Sequence, residues 1–146
     1  MLQALKSLFQ VPTEPHERIS YQRAVAALMM EVIMADDEVN EKEIIQMKDF
    51  LKGVTDLGDD VDMLFEEAKS GIKEANDLYQ FTKVINDNAS LDQKMALLIG
   101  LWRVAFADGD VDAYEDHRIR SISDLLFMPH SEFIQAKLIA QKEMQK

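Results

Sequence analysis

One acidic phrase occurs twice in this chain, and no other feature constrains the fold as much. Ala35-Asp36-Asp37-Glu38-Val39-Asn40-Glu41-Lys42-Glu43 returns as Ala107-Asp108-Gly109-Asp110-Val111-Asp112-Ala113-Tyr114-Glu115, 72 positions later (108 − 36). Ala, the first Asp, Val and the last Glu coincide without a gap. Each phrase follows an apolar run, Ala24 to Met34 or Ala96 to Phe106, and precedes another, Ile44 to Val54 or Ile119 to Leu126. The apolar residues recur at helical spacing, so the repeated unit reads as helix, acidic turn, helix.

The fold class that follows is all-α: a single compact domain of seven to eight helices built on two pseudo-symmetric helix–acidic turn–helix units. Strand-like alternation is scarce, and only three prolines and five glycines interrupt 146 residues. Leu2, Leu5, Leu8 and Phe9 share one face of a short amphipathic helix over residues 1–10, a face suited to packing on the core. Thr13 is placed to cap the next helix, which carries Ile19, Ala26, Leu28, Met29, Val32 and Ile33 up to Met34. A helix from about Glu41 to Lys52 stops at Gly53, and Asp56 to Asp60 form a turn. Two short helices over roughly 55–88 bridge the units. Ser90-Leu91-Asp92-Gln93 is a capping box. It opens a long stripe through Leu91, Met95, Leu98, Ile99, Trp102 and Phe106. Tyr114, Ile119, Ile122 and Leu126 mark the next helix, Pro129 breaks it, and Phe133, Ile134, Leu138 and Ile139 mark the last.

Charge narrows the partners. With 27 acidic against 16 basic residues the net charge is −11. Such a surface repels phosphate backbones, so nucleic acid is an unfavourable partner, and cations or basic proteins are favourable ones. No apolar run approaches the roughly 20 residues of a membrane span. The first residues lack the apolar region and cleavage site of a signal peptide. The absence of cysteine excludes disulfides and suits a reducing cytoplasm. No phosphate-binding glycine loop, nucleophile elbow or zinc-protease helix occurs, and His16, His117 and His130 are scattered. The expectation is a non-enzymatic protein.

The acidic turns carry the remaining chemistry. Asp108, Asp110 and Asp112 alternate, with Glu115 following, and oxygen-only ligands suit Ca²⁺, Mg²⁺ or Mn²⁺. An EF-hand would need glycine where Ala113 stands and a bidentate Glu where Ile119 stands. The alternative is purely structural. Asn40 to Glu43 and Asp112 to Glu115 have the form of capping boxes, stabilised by the helix dipole without any metal. Capping leaves Asp36 and Asp108 unexplained. They end the preceding helices, where a carboxylate costs up to about 1 kcal/mol. Each requires a partner: a turn amide, a basic side chain or a cation.

The run Leu101-Trp102-Arg103-Val104-Ala105-Phe106-Ala107-Asp108-Gly109-Asp110-Val111-Asp112-Ala113-Tyr114-Glu115 resembles the signature of the TerB-like (tellurite-resistance TerB) family. The likeness continues through His117, Arg118, Ile119 and Arg120 to Lys137. The first half matches through Ala27-Leu28-Met29, Ala35-Asp36 and Glu43, so the resemblance spans roughly Arg18 to Lys137. It implies an all-helical bacterial domain, linked to stress and tellurite resistance, whose acidic turns hold divalent metal and which has no established catalytic activity. By position, the implied ligands are Asp36, Glu43, Asp108, Asp112 and Glu115. The first repeat departs from the pattern, with Asp37 at the turn glycine and Asn40 at an acid. The second repeat is therefore expected to bind more tightly.

Overall fold

The computed structural model describes residues 20–35, 40–54, 61–74 and 78–144. Among them are seven helices and no strand: α1 Tyr21–Ile33, α2 Glu41–Val54, α3 Val61–Glu74, α4 Tyr79–Asn88, α5 Leu91–Ala105, α6 Ala113–Leu125 and α7 His130–Met144. The all-α expectation holds. The amphipathic segment 1–10, Thr13 and the turn at Asp56 to Asp60 lie outside the described residues. The helix expected to be capped by Thr13 and to carry Ile19 starts instead at Tyr21, because Ser20 caps it.

The first helix is the hub. Nine of the thirteen residues of α1 are buried, from Ala24 to Ile33, because α2, α3, α4, α5 and α6 all pack against it. A helix apolar nearly all round is stable only when surrounded in this way. Its start is set by Ser20, whose hydroxyl accepts from the Arg23 amide at 3.1 Å. The second organising helix, α5, begins at the complete Ser90–Gln93 capping box and packs on α2 and α7. Gly100 of α5 is a close-approach site: a Cβ there would lie 2.4 Å from the Phe50 ring, so the missing side chain lets α2 seat its aromatic on α5.

Several residues expected in the core are exposed: Leu91, Tyr114, Ile134 and Leu138. Leu91 and Tyr114 occupy the first turns of α5 and α6. In α7 the buried face is Phe133, Ala136 and Ala140, rotated away from Ile134 and Leu138. Small alanines there let α7 approach α5 closely. Gly53 does not end α2, which runs on to Val54.

Trp102 is fully buried between α5 and α7, with ring centroids 5.9 Å from Phe106 and 5.5 Å from Phe133, and Lys137 Nζ 4.9 Å from its own. Ion pairs from Arg118 to Glu31 at 3.1 Å and from Lys137 to Asp116 at 3.2 Å tie α6 to α1 and α7.

Candidate functional site

The two repeats meet at Asn40 and Asp108. Asn40 Nδ2 donates to Asp108 Oδ2 at 3.2 Å, across 68 positions of sequence. Asn40 is also a cap of α2, its Oδ1 accepting from the Lys42 amide at 2.8 Å and the Glu43 amide at 3.4 Å. One amide side chain therefore serves both repeats, its oxygen accepting from the α2 N-terminus and its nitrogen donating to Asp108. An aspartate could make the first set of bonds but not the second.

At the equivalent place, Asp112 caps α6. Its Oδ1 accepts from the Glu115 amide at 2.8 Å, and the Asp112 amide donates back to Glu115 Oε1 at 3.4 Å. The capping box is complete. Asp108 is satisfied from two sides, since its Oδ1 accepts from the Asp110 amide at 3.3 Å and its Oδ2 from Asn40. This supplies the compensating partner that a carboxylate past the α5 C-terminus requires. Gly109, at φ +104°, provides the left-handed residue of the turn.

The third residue of each helix carries the more unusual chemistry. Glu43 and Glu115 are 4% and 2% exposed, and they are the only buried carboxylates among the described residues. A side-chain hydrogen bond joins them. Two carboxyl groups can hydrogen-bond only if one proton lies between them. Burial pushes the Glu115 carboxyl up from 4.5 to about 7; the bonds from Glu43 and the Asp112 amide oppose the shift, and the charges of Asp112 and Asp108 add to it. Glu115 Oε2 is buried and accepts no hydrogen bond. A helix cap alone gives no reason for burying its carboxylate against a second one.

Of the six ligands expected from sequence, Glu43, Asp108, Asp112 and Glu115 gather at this corner, and the Asp108 and Asp112 charges act on Glu115. Asp110 is exposed and contributes its amide to Asp108. Asp36 lies outside the described residues. Asn40, read from sequence only as a cap and as a departure from the acidic pattern, is the residue that links the two repeats. Its polar head was legible, but its partner was not.

The donors fit a hard divalent cation in kind, being all oxygen, with Glu115 Oε2 buried and unbonded. They do not stand as a finished cage. Among the described residues no group of three or more His, Asp or Glu side chains is placed to hold an ion.

The fold and this corner define a helical module whose two repeats join over a buried carboxylate pair. The chain belongs to the TerB family, since the family model described as tellurite resistance protein TerB matches residues 22–138. No curated protein and no solved structure matches it. No helix among the described residues is long and apolar enough to cross a membrane.

Proposed function

We propose that this TerB module is a non-enzymatic divalent-cation binder of the bacterial cytoplasm, acting in stress or tellurite resistance. Glu43, Asp108, Asp112 and Glu115 would hold the ion, with Asp36 and Asp110 as the outer acids of the two turns. The ion would supply positive charge, which neutralises the buried carboxylates and clamps the two repeats together. Ca²⁺, Mg²⁺ and Mn²⁺ are the candidates, because each prefers oxygen donors. The observation that carries this reading is the buried Glu43–Glu115 pair beside Asp108 and Asp112.

A calorimetric titration with each metal, paired with thermal melting in chelator and in excess metal, tests the reading. Ligand at 100 times its dissociation constant should stabilise the protein by about 2.7 kcal/mol. Asp108→Asn and Glu115→Gln should abolish the shift. Trp102 lies six positions before Asp108 on the chain, so its emission is a second readout.

One alternative has its own observation. The capping box at Asp112 is complete, and Asp108 already has two donors, so the turns hold together as they stand. On that reading the protein is an acidic interaction scaffold for a basic protein partner. Flat calorimetry and an unchanged melt at millimolar metal would select it.

A further inference from the structure

The last helix is joined to the body by a short, strained hinge. α7 packs on α5, and α6 reaches it through long side chains. Lys137 pairs with Asp116 at 3.2 Å, and the Arg120 guanidinium lies 4.7 Å from the Phe133 ring centroid. The buried residues of α7 are Phe133, Ala136 and Ala140, with Phe133 against Trp102 and Glu143 paired to Arg103. The carbonyls of Leu125 and Leu126 are pinned to the body, accepting from Asn86 Nδ2 at 2.9 Å and Lys94 Nζ at 3.2 Å. α7 starts at His130, so Phe127, Met128 and Pro129 turn the chain back. Phe127 does so in the left-handed region, at φ 59°, and its side chain is 79% exposed, so packing does not offset the strain.

We propose that the protein dimerises with a second copy of itself by exchanging α7, each α7 docking on the α5 and α6 of the other copy. A short hinge under strain is the condition that invites such an exchange. Trp102, Arg103, Asp116 and Arg120 all precede the hinge, so a second copy presents α7 with the same surface. The contacts of α7 are then identical in monomer and dimer, and the hinge tips the balance. Opening it lets Phe127 leave the left-handed region, and Pro129 biases Met128 toward the extended backbone an open hinge needs. The net charge of −11 on each copy opposes association, so salt favours the dimer. Asn40, Glu43, Asp108 and Glu115 also precede the hinge. Each body therefore keeps its own acidic corner, and the exchange does not depend on metal there.

Charge reversal makes the exchange visible. One variant carries Arg103→Glu with Asp116→Lys on the body, and the other carries Lys137→Asp with Glu143→Arg on α7. Alone, each sets like charges against each other wherever its own α7 docks, whether closed or exchanged with an identical copy. In an equal mixture, co-refolded from urea, exchange between unlike copies matches every pair. Gel filtration with light scattering should give a dimer for the mixture and mainly monomer for each variant alone, with helix content checked by circular dichroism. Wild-type protein should show a dimer fraction that rises with concentration and with salt. Phe127→Gly relaxes the closed hinge of both copies, so it should lower the association constant about tenfold. A mixture that stays monomeric while both variants are helical would overturn the proposal. So would a wild-type chain that is monomeric at millimolar concentration, or a wild-type dimer indifferent to Phe127→Gly; these two readings stand even if the charge variants fail to fold.

Discussion

Phe127 follows the C-cap of α6 with a φ of 59°, the conformation that favours glycine, and its side chain is 79% exposed. The Phe127 amide donates to the Asp124 carbonyl and the Met128 amide to the Ser123 carbonyl, the two bonds of a Schellman ending. A left-handed conformation costs an ordinary residue roughly 1–2 kcal/mol, partly offset by the extra unfolded-state entropy of glycine. Phe127→Gly should therefore raise stability by about 0.5–1 kcal/mol in denaturant titration, since no buried contact is lost. Glu115 gives the opposite kind of prediction. Its folded pKa of about 7 lies above the ordinary 4.5. The native state keeps a proton that the unfolded chain releases between those values, so stability is lost as pH rises from about 4.5 to about 7. At roughly 1.4 kcal/mol per pKa unit the loss is on the order of 3 kcal/mol in metal-free protein. Glu115→Gln removes this titrating group, so in equilibrium unfolding that variant should lose less stability across the same window, the share from Glu31, also raised by burial, remaining.

Between elements, the decisive group is the Asn40 amide. It joins the α2 N-terminus to the turn that follows α5, and it stands where the second repeat has the acid Asp112. Asn40→Asp keeps the cap, because the two residues cap equally well. It replaces a hydrogen bond to Asp108 by like-charge repulsion. Metal-free Asn40→Asp should lose about 1 kcal/mol in denaturant titration. On the metal-binding reading, the added carboxylate should also tighten calorimetric affinity for Ca²⁺ or Mn²⁺. On the scaffold reading only the loss of stability should appear, so one variant separates the two.

For the molecule as a whole, the net charge of −11 sets the baseline against which a specific ion must be read. Self-repulsion of the folded surface is screened by salt, with a Debye length of about 30 Å at 0.01 M and 10 Å at 0.1 M. The melting temperature should rise smoothly with sodium chloride over that range. A specific divalent effect is then what remains at matched ionic strength, and it should saturate rather than continue to climb.

The repeat offset, the apolar runs and the capping motifs were local patterns, and they determined helix content, the acidic corners and the chemical identity of the candidate ligands. Ser90–Gln93 and Asp112–Glu115 form the expected boxes because a cap involves only residues three apart. The rest depended on contacts between residues distant in sequence. Tyr114, Leu138 and Leu91 follow a helical period but are exposed, because periodicity defines a face without saying what covers it. The burial of Glu43 against Glu115 and the bond from Asn40 to Asp108 join positions about 70 residues apart. A capping glutamate on a solvated helix and one buried against its counterpart have the same sequence signature. Only the packing of α2 against α1 and α5, and of α6 against the same two helices, removed the water and buried the pair.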